Sequence, residues 1–346
     1  MRIGDSAFSG CSSLTSIILP FVGGYASATS VSYQTLFGYI FGTTKYEGGY
    51  FTQQRYTELD EDGYNYTYYQ SYYIPSTLKS VTIIGGMLHN GAFSNCGFIE
   101  SVYLGDGVTS IGRIAFYGCE NLSNIGIGDG VTYIGADAFY NTAYYNKSSN
   151  WENKVLYIDK YLIEAKSDKT GDYAIKDGTL CIAEIAFAHC GVTSITIPDS
   201  VVSICEQAFS HCSMTRIVIG KGVRFIGNYA FYYCTSLIEI YYNATECNDF
   251  TWDSCRFDYV GMNKGIKLTI GADVKKIPAE IFSQHSNTYR MKFESVVFES
   301  GSVCESIGDS AFYNCVIQST VRIPKNVTYV GSSAFYNVGA RVIRES

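Results

Sequence analysis

Apolar residues recur along this chain with a period too long for one strand or helix and too regular for a loop. Ile111 to Tyr133 shows the unit once, as IGRIAFYGCENLSNIGIGDGVTY, and it restarts at Ile134. In consensus it reads I-G-x-x-A-F-x-x-C-x-x-L-x-x-I-x-I-x-x-x-V-x-x. The apolar-Phe step marks the copies at Phe8, Phe93, Phe116, Phe139, Phe187, Phe209, Phe231, Phe282, Phe312 and Phe335. Five of the nine neighbouring spacings are 22 or 23 residues, and the other four hold additional sequence. Self-similarity at a period of about 20 to 50 residues is the mark of a repeat architecture.

The pattern inside the unit predicts its elements. In L-x-x-I-x-I the last two apolar positions flank one outward position, which is strand periodicity. The V-x-x-I run that follows is a second short extended segment. Between them stand Gly105-Asp106-Gly107, Gly128-Asp129-Gly130, Pro198-Asp199-Ser200 and Pro324-Lys325-Asn326, residue types that supply tight corners. The A-F-x-x-C part is long enough for one helical turn. One coil cannot bury its own apolar face, but coils stacked about 4.8 Å apart share it. The expected fold is therefore a mostly β (α+β) repeat: a right-handed solenoid of ~23-residue units with short parallel strands and one-turn helices. Its Phe and Cys residues should stack in internal columns.

Read this way, residues 1–346 form a single solenoid with three interruptions. The first, 21–77, is rich in Tyr and follows no repeat; its YNYTYYQSYY run, Tyr64 to Tyr73, suits strands. The second, 143–172, contains WENKVLYIDKYLIEA (151–165), a predicted β-hairpin with its turn at Asp159-Lys160. The third, 243–264, is irregular and contains Trp252.

The units resemble leucine-rich repeats of the BspA-like family of surface proteins. IGDSAFSGCSSLTSIILP at the start and SITIPDSVVSICEQAFSHC at 194–212 carry the resemblance nearly residue for residue, and it extends over most of the chain. WENKVLYIDKYLI is similar to an element found between units of that family. The resemblance implies a leucine-rich-repeat solenoid, an extracellular or cell-surface location, and, for some members, binding of host proteins or other cells. It implies nothing for 21–77, which lies outside the family unit.

Composition narrows the function. The 346 residues carry a net charge of -7, and only 16% are charged, which argues against nucleic acid as a partner, since phosphate contact needs clustered Lys and Arg. No apolar run approaches the ~20 residues that span a bilayer, so no direct membrane insertion is expected. The chain opens at MRIGDSAF, already inside a repeat; a leader and any anchor are expected outside it.

Several constellations look chemical, and the repeat absorbs most of them. Of 12 Cys, seven share one position: Cys11, Cys96, Cys119, Cys190, Cys212, Cys234 and Cys315. A count that follows the repeats reads as a buried thiol column capping backbone groups. Cys247 and Cys255, in one irregular stretch, are the pair to test for a disulfide. His189-Cys190 and His211-Cys212 superficially suit zinc, but inward Cys and outward His would not share a tetrahedral site. Gly4-Asp5-Ser6 and Gly308-Asp309-Ser310 only begin repeats, and the nucleophile elbow G-x-S-x-G is absent. Gly126-Ile127-Gly128-Asp129-Gly130 is not followed by the helix a dinucleotide loop requires. Acidic residues form no acid–base pair. The reading is a non-enzymatic protein with no cofactor and no metal.

Two features remain as candidate contact surfaces. The outward strand position gives a column of Ile18, Thr82, Tyr103, Gly126, Thr196, Val218, Tyr241, Thr269, Val297 and Arg322, largely uncharged. Such a stripe reads equally as an interaction face or as β-propensity. The Tyr-rich insertion has the composition of antibody binding loops, because Tyr gives large amphipathic contact area at small entropic cost. It reads either as a binding element or as packing against the solenoid. The ligand-contacting candidates are Tyr64, Tyr66, Tyr68, Tyr69, Tyr72, Tyr103 and Tyr241. The expected function is adhesion to a host protein, a glycan or a cell surface; the alternative is a structural spacer presenting another domain.

Overall fold

The computed structural model describes residues 1–59, 65–252, 256–262, 264–285 and 289–345. It falls into two compact units, Met1–Glu152 with Leu156–Lys160, and Asn153–Val155 with Tyr161–Ser346. Both are stacks of coils with parallel strand ladders, a leucine-rich-repeat solenoid in each case.

The first unit includes the strands β1 (Ser16–Leu19), β2 (Gly49–Leu59), β3 (Asn65–Pro75), β4 (Ser80–Leu88), β5 (Ser101–Ile111), β6 (Asn124–Ile127) and β7 (Tyr133–Ile134). One parallel sheet runs β1-β4-β5-β6, with β7 also paired to β5, while β2 and β3 pair only with each other. The register places Ile17, Val81, Val102 and Ile125 side by side, all buried. In the second unit a seven-stranded parallel sheet runs from Thr170–Ala174 through Gly191–Thr196, Arg216–Ile219, Glu239–Tyr242, Ile266–Ile270 and Lys292–Phe298 to Val316–Ile317. The alternation of buried with more exposed positions in β1, β6, Arg216–Ile219 and Glu239–Tyr242 follows from the period of two in the sequence.

The A-F-x-x-C corner departs from the expected one-turn helix. It is a succession of turns in which most coils place two residues at left-handed φ: one two residues before the Phe (Asp137 +57°, Gln207 +54°) and one before the Cys position (Asn95 +59°, His211 +57°). Left-handed backbone interrupts a right-handed helix. It frees the corner amides to bond the next coil: Phe93 N–H to Ala115 O at 2.7 Å, and Phe209 N–H to Ala230 O at 2.8 Å.

The two internal columns form as expected. Phe93, Phe116 and Phe139 stack with centroids 5.0 and 5.4 Å apart; Phe187, Phe209 and Phe231 do so at 5.4 and 5.6 Å. Four of the column thiols give their S–H to the Phe carbonyl of the preceding coil: Cys119 to Phe93 O (3.1 Å), Cys212 to Phe187 O (3.0 Å), Cys234 to Phe209 O (3.1 Å) and Cys315 to Phe282 O (3.0 Å). Burial pushes the Cys119 and Cys234 thiols up to about 12, so both are protonated hydrogen-bond donors at neutral pH. Cys11, on the first coil, is exposed.

The described residues of 243–264, expected as an irregular insertion, follow the course of a coil whose consensus letters have changed. Thr245 and Asn248 give their N–H groups to Lys221 O and Arg224 O, and Phe231 and Tyr233 give theirs to Arg256 O and Asp258 O. Phe257 fills the aromatic column, 4.8 Å from Phe231 and 5.2 Å from Phe282. The copy escapes the sequence pattern because Arg256 replaces the Ala before the Phe and Val260 replaces the Cys. Arg256 meets the demand of a buried charge by donating Nε–H to Ile226 O at 2.9 Å and lying 3.7 Å over Phe250. Cys255 lies outside the described residues; Cys247 donates its S–H to Arg224 O.

The expected hairpin at 151–165 contains strands Val155–Ile158 and Tyr161–Ala165 on either side of Asp159-Lys160. The false dinucleotide glycines also have a structural reason. A side chain at Gly130 would run into Asp106 O of the neighbouring corner.

Candidate functional site

The Tyr-rich insertion divides into a part the solenoid absorbs and a part it does not. β1 pairs directly with β4, Ser16 opposite Ser80, so no strand of the insertion enters that sheet. The corner between those coils is instead supplied by a tight helical turn, Phe37–Ile40. Ser6 and Phe8 give their N–H groups to Tyr39 O and Ile40 O, and Phe37 gives its own to Ala92 O. Phe37 lies 4.5 Å from Phe93, and Phe41 lies 6.0 Å from Phe8, so the aromatic column runs on through the insertion.

What remains is an antiparallel hairpin, β2 against β3, eleven residue pairs from Gly49↔Pro75 to Leu59↔Asn65 without a bulge. Opposed residues share a face. One face carries Thr52, Gln54 and Tyr56 against Tyr72, Gln70 and Tyr68; the other carries Phe51, Gln53 and Arg55 against Tyr73, Ser71 and Tyr69. The first face is anchored at its base. Tyr72 is 2% exposed, its ring lies on Gly38, and its hydroxyl donates to Tyr33 O at 2.8 Å. A side chain at Gly38 would occupy the place of that ring. Gln54 is fully buried and bridges two backbones: its Oε1 accepts from Gly38 N–H (2.6 Å) and its Nε2 donates to Ala92 O (2.9 Å).

The outer edge of β2 is held as well. Ser94 Oγ accepts from Arg55 N–H at 2.7 Å and donates to Arg55 O at 3.2 Å, while Asn95 Nδ2 donates to Gln53 O at 2.8 Å. The Arg55 guanidinium lies 5.4 Å over the Tyr117 ring. These contacts fix the hairpin against the following coil.

The candidates therefore separate. Tyr72 is buried scaffold and does not face a ligand; desolvation raises its hydroxyl well above the usual tyrosine range. Tyr66, Tyr68 and Tyr69 are 50%, 43% and 58% exposed, and Phe51, which the sequence reading passed over, is 53% exposed. Tyr64 lies outside the described residues. Tyr103 is exposed on the outward strand column, its ring lying over Gly126 of the next strand. Tyr241 belongs to the other unit and is half-buried under the Arg216 guanidinium at 4.7 Å. In the first unit the column is in register from Ile18 through Thr82 and Tyr103 to Gly126; in the second, from Thr196 to Val297. Arg322 is in a separate pair, opposite Ile343.

The corners carry a further aromatic series that sequence reasoning missed. His189 and His211 stack at 4.6 Å, and His211 lies 4.9 Å from Tyr233. Tyr117 stacks on Tyr140 at 5.6 Å, and Tyr313 on Tyr336 at 5.2 Å. Its signal was an aromatic residue one or two places after the Phe, obscured because the exact place alternates. The stacked His rings point outward while Cys190 and Cys212 point to backbone carbonyls, so the four do not converge. Among the described residues no group of three or more His, Cys, Asp or Glu is placed to hold a metal, and no helix is long and apolar enough to cross a membrane.

The model of one repeat family, described as BspA type leucine rich repeat region (6 copies), matches residues 1–83, 86–171, 165–288 and 261–340. The chain belongs to the BspA-type leucine-rich repeat family. A leucine rich cell surface protein from Faecalibacterium prausnitzii is 20% identical over 87% of this chain and 96% of its own, with a TM-score of 0.26. A leucine-rich repeat protein from Bacteroides ovatus is 18% identical over 82% and 91%, TM-score 0.26. The pneumococcal vaccine antigen PcpA is 15% identical over 98% and 91%, TM-score 0.32. No curated protein matches the chain. In this BspA-type protein the repeat accounts for the columns and corners, and β2 and β3 form a separate two-stranded sheet beside the repeat strands of their unit.

Proposed function

We propose that this BspA-type chain is a non-enzymatic binding module, extracellular or at the cell surface, that adheres to a protein or glycan ligand through the outer half of its hairpin. The observation that carries the reading is the contrast along β2 and β3. The same hairpin that buries Tyr72, Gln54 and Ile74 at its base presents Tyr66, Tyr68 and Tyr69 to solvent on its outer half, with Phe51 exposed nearer the base on the face opposite Tyr72. Exposed rings on a rigid support are suited to binding, because little rotamer freedom is lost when they are covered. Tyr103 adds a lesser contact on the strand column. Family membership supports the location, and the thiols of Cys119 and Cys234, buried and protonated in the column, are not poised as nucleophiles.

The test is a binding screen of the protein against glycans and extracellular-matrix proteins, repeated with Tyr66, Tyr68 and Tyr69 changed together to Ser. Loss of the captured ligand with an unchanged melting temperature supports the reading. Undiminished capture by the triple variant moves the contact away from the hairpin.

A further inference from the structure

β3 has one edge paired with β2 and one edge that the chain leaves open. Tyr73 gives its N–H to Gly42 O at 3.0 Å, so its backbone groups face away from β2. In an antiparallel pair the direction alternates. Ser71, Tyr69 and Thr67 therefore face away too, like Gln53 and Arg55 opposite them. On the β2 side those groups are met by Ser94 and Asn95. On the β3 side Thr67, Tyr69 and Ser71 find no backbone partner among the described residues, and only the Gln70 amide approaches Ser71 O, at 3.4 Å.

Soluble proteins blunt such edges with Lys, Pro, bulges, short strands or a covering element. From Thr67 to Ser71, β3 has none of these among the described residues. It is 11 residues long, in unbroken register, with no charged residue and no Pro before Pro75. Of the two strands only β2 carries charge, Arg55 and Glu58, and the remaining charges of the segment, Asp60, Glu61 and Asp62, lie in the sequence that joins them. We infer that the open edge of β3 is a self-association surface, taking β3 of a second copy of this chain in antiparallel pairing.

The occupant follows from charge and pairing geometry. Two copies of a chain with net charge -7 repel, so they approach where charge is lacking, and β3 is neutral throughout. The strand is also its own complement. Centred on Tyr69, antiparallel pairing sets Tyr69 opposite Tyr69 of the copy and Thr67 opposite its Ser71, residues that all present outward N–H and C=O groups. Such a two-fold contact is closed and yields a dimer with a four-stranded sheet, not a fibre. It uses the edge of the strand and leaves both faces of the hairpin open, so it stands independently of any foreign ligand.

Sedimentation velocity from about 1 to about 100 µM spans the affinities such an edge would give. The wild type should double in mass as concentration rises. Ser71→Pro removes an outward N–H that β2 does not use, and Tyr69→Lys sets two like charges on the axis. Each should weaken self-association by about tenfold or more. Circular dichroism and melting confirm the fold of each variant; should Ser71→Pro disturb the hairpin, Tyr69→Lys decides. A wild type that stays monomeric, including one that instead takes up a foreign extended peptide, overturns the inference. So does a folded Tyr69→Lys variant that dimerises as the wild type does.

Discussion

Residues 243–264 and 21–77 both interrupt the repeat in sequence, yet the fold uses them differently. The described residues of the first are absorbed into the stack. Its backbone continues both ladders, and Phe257 stands in the aromatic column. The second is absorbed only at one corner, where Phe37 and Phe41 continue the column. Because β1 pairs with β4 across it, the rest of the insertion has no place in the stack and forms the hairpin. A coil is defined by the backbone ladder and one ring in the column, not by the full consensus. The segment with surplus chain beyond that requirement is the one that can display side chains and an edge.

The largest expected effect tests the absorbed region. Phe257→Ala should cost about 3–5 kcal/mol, as much as Phe209→Ala in an unmistakable coil, because each leaves a cavity in a packed column. Chemical denaturation of the two variants makes the comparison, and a cost below about 1 kcal/mol for Phe257 alone would return 243–264 to the status of a loop. Next comes the anchor of the hairpin. Gln54→Leu strips Gly38 N–H and Ala92 O of their partner and should cost about 1–3 kcal/mol, seen as a lower denaturation midpoint. A neutral result would mean that the hairpin is not held at that point.

A smaller effect is expected from pH. Desolvation lowers the His89 pKa below its ordinary 6.5, partly offset by a hydrogen bond to the Ala28 backbone. The folded state therefore binds its proton less readily than the unfolded chain. Stability from this group is complete above about pH 6.5 and declines as pH falls through that value toward the lowered folded-state pKa. Melting curves of wild type and His89→Gln should diverge above that window and converge below it. The smallest effect belongs to the displayed rings. Tyr66, Tyr68 and Tyr69 changed singly to Ser should each shift stability by no more than about 0.5 kcal/mol, since they are exposed. Tyr72→Ser should destabilise far more.

The repeat, its strand register and both internal columns were legible in the sequence because each rests on a residue type forced by position. Only Phe fills the column, and a thiol is small enough to sit under it and still reach a carbonyl. The corner geometry was not legible. Ile114 and Ile185 sit in left-handed backbone at +52° and +54°, which no propensity would place there, since tertiary stacking imposes it. The Phe257 coil was hidden by Arg256, whose buried charge is tolerated only because the Ile226 carbonyl and the Phe250 ring receive it. Within the hairpin, composition marked the tyrosines but not their separation. Which ring is buried depends on strand parity and on where Gly38 and Tyr33 stand, and neither can be read from a run of Tyr.

Amide hydrogen exchange of the dilute monomer tests the contrast between the two regions most directly. Amides of 244–250 and 256–261 that bond the neighbouring coils should exchange as slowly as those of the flanking coils, as Thr245 and Asn248 bond Lys221 O and Arg224 O. Along β3, Tyr68, Gln70 and Tyr72 should be slow while Thr67, Tyr69 and Ser71 exchange fast. Uniform protection along β3 in the monomer, or fast exchange of Thr245 and Asn248, would contradict the distinction between a coil in disguise and a displayed hairpin.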